Sequence, residues 1–161
     1  MCIRDSNYIC ENLISRYRIS VTATTNAAVN ILEDKIKSNY IKCSTIHNYL
    51  KLRIKTTQKG KMLSKKNKGA VCHDLVIIDE CSMIDSNLWE LIVNYPYKKT
   101  KWLFVGDACQ LSPVGDSISP TFKVSNIIHL EEILRQDDDN PIKEYITCLL
   151  YTSPSPRDTI R

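Results

Sequence analysis

Four consecutive apolar residues, Leu75-Val76-Ile77-Ile78, run directly into two adjacent carboxylates, Asp79 and Glu80. A short unbroken apolar run bounded by polar residues reads as a buried strand. In an open α/β sheet, ligands bind in the crevice outside the carboxyl ends of the strands. At that place one carboxylate can hold a hydrated Mg²⁺ while its neighbour orients or deprotonates a water. A second strand, Lys101-Trp102-Leu103-Phe104-Val105, ends the same way, in Gly106-Asp107-Ala108-Cys109-Gln110-Leu111-Ser112-Pro113-Val114. Two buried strands with polar tips in close succession are much harder to obtain by chance than one.

The surrounding pattern supports an α/β class. Ile9, Leu13 and Ile14 keep helical spacing and predict the end of a helix. Ile19 to Ala23 is rich in β-branched residues and reads as a strand; Ala27, Ala28, Ile31, Leu32 and Ile36 then mark an amphipathic helix to about Ser38. Ser44 or Thr45 is placed to cap a short helix through Leu50, and Asp85 or Ser86 to start another through Leu88, Leu91 and Ile92. Ile127–Leu130 reads as a further strand, and Asn140-Pro141 as an N-cap followed by proline at the first helical position. Strands alternating with helices predict a parallel sheet. Trp89 and Trp102 are expected in the core.

Charge narrows the partners. The chain of 161 residues carries a net charge of +4, too mild to establish a nucleic-acid partner. Its distribution says more: from Lys51 to Lys68 there are eight Lys or Arg and no acid. The segment from about 51 to 70 lacks helical periodicity, has Gln58-Lys59-Gly60 as a turn candidate, and predicts an inserted hairpin or loop. The seven cysteines form no C-x-x-C pair, which favours reduced thiols over zinc or disulfides. No apolar stretch approaches the roughly 18 residues of a membrane span, and a cytoplasmic, membrane-free protein is expected.

Both ends look foreign. Met1-Cys2-Ile3-Arg4-Asp5-Ser6 resembles a translated sequencing-library adapter, the stretch from Cys148 to Asp158 resembles reverse-complement read-through of the same adapter family, and Thr159, Ile160 and Arg161 would then come from an index sequence. Such segments are set aside in fold reasoning. The native part is therefore expected to be 7–147, a single partial domain, with 1–6 and 148–161 as artefact.

Val21-Thr22-Ala23-Thr24-Thr25-Asn26-Ala27-Ala28, Ser44-Thr45-Ile46-His47, Ile78-Asp79-Glu80-Cys81-Ser82-Met83 and Gly106–Val114 occur in that order. Together they resemble motifs Ia, Ib, II (Walker B) and III of superfamily 1 helicases of the RecD/Dda branch. The nearest likeness is to the Dda-type helicases of T-even phages, including Ile118-Ser119-Pro120. Leu134-Arg135-Gln136 and Pro141-Ile142 resemble the start of motif IV. The resemblance implies a RecA-like domain of the P-loop nucleotide triphosphatase class, ATP and Mg²⁺ as cofactors, and a parent that unwinds DNA 5′ to 3′.

Residue by residue, the resemblance implies that Asp79 holds Mg²⁺ through water and Glu80 polarises the attacking water. Gln110 would sense the γ-phosphate; the competing reading is a turn residue after Gly106-Asp107. Arg135 would reach the γ-phosphate as a finger in cis, against a surface salt bridge to Asp137 or Asp138. Thr24, Thr25 and Asn26 would hold a phosphate of single-stranded DNA, as helix N-termini do, with ordinary helix capping as the alternative. Thr45 and His47 would lie on the DNA side, although a lone histidine is as readily a packing residue. Lys59 and Lys61, beside the turn of the basic segment, would contact DNA in the position of a duplex-splitting pin, against a solvated loop. That segment has no aromatic residue at its turn. Fork DNA, a single-strand-binding protein and other replication proteins are the implied partners.

No phosphate cradle of the form G-x-x-x-x-G-K-[S/T] occurs in the sequence. The expectation is that the cradle strand is missing, that it would pair beside the Asp79 strand and leave an open edge there, and that the polypeptide as written is inactive. The alternatives are a catalytically dead module that binds single-stranded nucleic acid, and an RNA-directed superfamily 1 helicase.

Overall fold

A computed structural model of the chain describes residues 10, 12–36, 38, 40–57, 60–65 and 72–130. Four parallel strands form the central sheet: β1 (Ile19–Ala23), β2 (Lys42–Thr45), β5 (Leu75–Asp79) and β6 (Lys101–Phe104), in the order β2-β1-β5-β6. Between β2 and β5 in sequence, β3 (Leu52–Thr57) and β4 (Gly60–Lys65) pair antiparallel as a separate two-stranded sheet. Helices α1 (Asn26–Lys35), α2 (Ile46–Tyr49) and α3 (Ser86–Val93) connect and cover the strands. Cys81–Met83 and Pro120–Lys123 form single 3₁₀ turns.

The period-2 alternation of a strand explains how one sheet makes two cores. Val76 and Ile78 of β5 face a cluster with Ile46, Tyr49, Leu50, Ile84, Leu88, Ile92 and Tyr95. Ile77, between them, faces the opposite cluster with Ile19, Val21, Ala23, Val29 and Leu32. All three β5 residues are fully buried; each contributes about 1.5–3 kcal/mol by leaving water. Trp89 and Trp102 pack against the first cluster as expected, Trp89 tilted against Phe104 and Trp102 edge-on to Tyr49 and Tyr95. The polar residues of β1 are equally buried and are satisfied sideways: Thr22 Oγ1 donates to the Ile77 carbonyl at 3.0 Å, and Ser20 Oγ to that of Lys42 at 3.2 Å.

Each helix begins where a capping oxygen is available. The Thr25 hydroxyl accepts from Ala28 N–H at 3.2 Å, that of Thr45 from Asn48 N–H at 3.2 Å, and the Asp85 carboxylate from Leu88 N–H at 2.7 Å. Helix α1 stops at Lys35, with Ile36 as its C-cap, and it buries Val29 and Leu32. Ile31, expected on the apolar stripe, is 47% exposed.

Three expectations change. Strand β2 was not anticipated: Lys42-Cys43-Ser44-Thr45 has little apolar content because it lies at the edge of the sheet, with only β1 beside it among the described residues. Ile127–Leu130 belongs to a second unit that starts at Ser125, and described residues 125–130 contain no strand; Ile128 and Leu130 are 90% and 72% exposed, so no sheet face buries this apolar run. Finally, there is no open edge beside the Asp79 strand, because β5 is paired on both sides, to β1 and to β6. Within the segment 51–70, the described strands pair antiparallel from Leu52↔Lys65 to Thr57↔Gly60.

Candidate active site and nucleic-acid rim

Strand register brings Thr24, Thr25, Thr45, His47, Asp79 and Glu80 to one rim. Ala23 pairs with Asp79 and with Thr45, and Ile78 pairs with Phe104. The segments that leave the carboxyl ends of all four strands therefore emerge side by side: Thr24-Thr25, Thr45-Ile46-His47, Asp79-Glu80 and Val105-Gly106. This is the ligand-binding edge of an open α/β sheet.

Asp79 is 7% exposed, and its Oδ1 accepts the Glu80 N–H at 2.9 Å. Glu80 takes a left-handed conformation, φ 56° and ψ 41°, which costs a non-glycine residue roughly 1–2 kcal/mol. Such strain persists only where the surroundings over-determine it. Here Met83 N–H donates to the Glu80 carbonyl at 3.3 Å, and Cys81 N–H donates to the Val105 carbonyl at 3.0 Å. The conformation turns the chain sharply after the strand, so that Asp79 stays largely buried while Glu80 is half-exposed at the rim.

The carboxylate pair fits a hydrated Mg²⁺. That ion is held by one or two carboxylates together with substrate phosphates, not by an all-protein cage. Among the described residues no cluster of three or more His, Cys, Asp or Glu forms, and Asp79 with Glu80 supplies hard oxygen donors at the strand tip. ATP and Mg²⁺ therefore have a candidate place here, with Asp79 as the metal-side group.

The strand-tip turn after β6 rests directly on this place. A Cβ added to Gly106 would lie 2.7 Å from Cys81 Sγ and 3.0 Å from Cys81 N, so only glycine lets the two segments approach. Beyond it, Asp107 Oδ1 accepts from Cys109 N–H at 2.9 Å, and Gln110 N–H donates to the Asp107 carbonyl at 3.2 Å. Gln110 is thus a turn residue with an exposed side chain. Sequence reasoning missed what happens at the far end of this loop. Asp116 Oδ2 accepts from Ser86 N–H and Oγ at 2.7 and 2.9 Å. Ser119 Oγ reaches the carbonyls of Ile84 at 2.7 Å and Cys81 at 3.1 Å. The signal that was available is the Ser-Pro pair: Ser119 caps a 3₁₀ turn with Pro120 at its start.

On the other side of the carboxylates, Thr24 Oγ1 lies 3.7 Å from Met83 Sδ. Thr25 and Asn26 are exposed at the start of α1, and Thr25 is its cap. Both capping threonines, Thr25 and Thr45, accept from the backbone and retain a hydroxyl proton to donate. His47 sits half-buried in α2; burial lowers its pKa below the usual 6.5, opposed by the nearby Asp85 carboxylate. The Cys81 thiol is pushed up by its burial. The Ser82 hydroxyl, 3% exposed, has no hydrogen-bond partner among the described residues. Lys61 lies on β4, opposite Thr56. Lys59 and Arg135 fall outside the described residues.

Residues 1–116 match the family described as AAA domain. Over 150 residues the chain is 33% identical to an uncharacterized protein of Acanthamoeba polyphaga mimivirus, which covers 80% of this chain and 30% of that protein. It is 32% identical over 124 residues to the RecBCD enzyme subunit RecD of Buchnera aphidicola subsp. Schizaphis graminum, covering 68% of this chain and 20% of the relative. The same subunit of Buchnera aphidicola subsp. Acyrthosiphon pisum is 34% identical over 111 residues, 60% of this chain and 18% of its own length. The chain spans less than a third of the length of each of these relatives. No described helix is long and apolar enough to cross a membrane.

Proposed function

The chain belongs to the AAA domain family, and from that premise we propose that it forms part of the first RecA-like domain of an ATP-dependent DNA helicase of the RecD/Dda branch of superfamily 1. The observation that carries this reading is the shared rim. Parallel register sets the Asp79-Glu80 pair beside Thr24-Thr25 on one side and the Gly106–Gln110 turn on the other. A carboxylate site and an anion-binding helix start thus adjoin within one rigid sheet.

The chemistry asked of the protein is positioning and charge control, since phosphoryl transfer leaves it little covalent work. Bound Mg²⁺ and ATP supply the electrophilic γ-phosphoryl group. Asp79 would hold the Mg²⁺, which would supply charge neutralisation at the phosphates; Glu80, placed by its left-handed turn, would accept a proton from the attacking water. By resemblance to the RecD/Dda branch, Gln110 would report the γ-phosphate and Arg135 would supply the finger that neutralises developing charge. On the DNA side, the N–H groups at the start of α1 have no partner within the helix. With the hydroxyls of Thr24 and Thr25 and the Asn26 amide they hold a backbone phosphate. Thr45 and His47 extend that track. The basic hairpin β3–β4, with Lys59 and Lys61, meets the duplex at a fork through its charge. Resemblance to the RecD/Dda branch supports 5′ to 3′ translocation, a cytoplasmic setting, and work alongside a single-strand-binding protein.

The test is ATP hydrolysis by the full-length protein. The expected result is Mg²⁺-dependent turnover stimulated by single-stranded DNA and lowered about 10²–10⁴-fold by Glu80→Gln. Stimulation by RNA and not DNA would reassign the substrate. Tight single-strand binding with no hydrolysis would make the protein a binding module and end the helicase reading.

A further inference from the structure

The loop that carries Gln110 leaves and returns to one point. Its first foot, Gly106, packs against Cys81 and Ser82 with no room for a Cβ. Its second foot is a pair of buried hydroxyls, Ser119 and Thr121, 2% and 3% exposed. Ser119 Oγ lies 2.7 Å from the Ile84 carbonyl, 3.1 Å from that of Cys81 and 2.9 Å from Thr121 Oγ1; Thr121 Oγ1 lies 3.3 Å from the Cys81 carbonyl. Between the feet, Asp116 is bonded to Ser86, and Ser112 Oγ closes the loop onto the Ser117 carbonyl at 2.7 Å. Every one of these attachments outside the loop is to the segment 81–86, which begins directly after Glu80.

That segment must hold Glu80 in a backbone conformation it would not adopt unaided. One side of the turn is fixed where Cys81 N–H donates to the carbonyl of Val105, the residue after β6. The Ser119–Thr121 pair fixes the other, at the Cys81 and Ile84 carbonyls. We propose that Ser119 and Thr121 are positioning residues for Glu80: their paired hydroxyls brace the turn that aims its carboxylate, and they tie that aim to the loop carrying Gln110. The inference rests on the helicase reading above. A displacement of about 1 Å in a positioned group can cost on the order of 10²-fold in rate, so loss of the brace acts on the hydrolytic step, not on nucleotide binding.

The experiment uses the full-length protein with Ser119→Ala, Thr121→Val and Thr121→Ser, each alone and combined with Glu80→Gln. Thr121→Val keeps the shape of the side chain and deletes only the hydroxyl, so it serves even where Ser119→Ala fails to fold. Expected for Ser119→Ala and Thr121→Val is a fall in kcat of about tenfold to a hundredfold with KM for ATP unchanged, and near wild-type turnover for Thr121→Ser. In the Glu80→Gln background the same substitutions should cost nothing further, because residues acting as a unit are non-additive. An equal loss in both backgrounds, or a folded Thr121→Val protein with wild-type kcat, overturns the brace and leaves the helicase reading standing. A wild-type protein whose ATPase is absent or indifferent to Glu80→Gln overturns both.

Discussion

The Thr24 hydroxyl lies 3.7 Å from the sulfur of Met83, which joins the end of β1 to the turn directly after Glu80. The proposed DNA rim and the proposed hydrolytic carboxylate are thus two sides of one short contact. No long relay is needed between a phosphate held near Thr24 and the turn that aims Glu80.

Thr24 and the hairpin lysines should separate cleanly by salt. A hydroxyl donating to an anionic phosphate contributes a charge-assisted hydrogen bond, worth roughly 1.5–3 kcal/mol net, and releases no counterion. Thr24→Ala is expected to weaken single-strand affinity about tenfold to a hundredfold with an unchanged slope of log K against log salt. On fork DNA, where the hairpin meets the duplex, Lys59→Ala and Lys61→Ala should each lower the slope by about 0.9. Anisotropy titrations at several salt concentrations check this, and a lysine variant that leaves the slope intact would remove the hairpin from the DNA path.

Glu80 joins chemistry and strain in one residue. Glu80→Gln should cost about 10²–10⁴ in turnover, the typical contribution of a positioned general base. Asparagine tolerates the left-handed region better than glutamine. Glu80→Asn should therefore be equally inactive yet unfold at higher denaturant than Glu80→Gln. Equal midpoints would mean that the turn is not strained by its side chain.

Much of this was legible in the sequence, for physical reasons that stop at identifiable places. Leu75–Ile78 announces a central strand because burial on both faces leaves no polar alternation. Thr45 and Asp85 announce helix starts because an oxygen three residues ahead of a free N–H is a local fact. Strand β2 stayed hidden because an edge strand with half-exposed Cys43, Ser44 and Thr45 needs no apolar run. Ile127–Leu130 misled because an apolar run does not itself supply a sheet to join. Ser119 and Thr121 carry no local sign of their partners: Cys81 is 38 and 40 positions earlier in the chain, and only the folded β5–β6 pairing brings them together.

Gly106 is where the two strand tips touch, and Gly106→Ala tests how tightly. The new methyl would meet Cys81 Sγ at 2.7 Å and the Cys81 and Ser82 backbone nitrogens at 3.0 and 3.2 Å. Overpacking of this kind typically costs about 1–3 kcal/mol. Adding Cys81→Ala removes the sulfur but not the backbone, so it should restore part of the loss. Full restoration in urea melts would show that the side chain alone sets the spacing; no loss from Gly106→Ala would show the loop to be free of the turn.

Acid should weaken the fold from near neutrality, through two histidines. His73 accepts or donates at Nδ1 with the Tyr49 hydroxyl at 3.2 Å, and burial lowers its pKa below 6.5, aided by Arg18 and Lys42 and opposed by Asp74. Burial likewise lowers that of His47 against Asp85. As pH falls past 6.5 the unfolded chain takes up these protons before the folded chain does, and the slope of stability with pH follows the excess protons bound by the unfolded state. Stability is therefore complete above the unfolded value and lost as pH drops through it toward the folded values. Asp74, whose carboxyl is held low by hydrogen bonds from Arg18, adds a loss in the same direction, starting only as pH falls through its ordinary value of 3.8. Urea midpoints at pH 7.5 and 5.5 should differ for the wild type and converge in His47→Gln combined with His73→Gln. A wild-type midpoint that rises on acidification would reverse the sign and place both imidazoles beside anions stronger than Asp85 and Asp74.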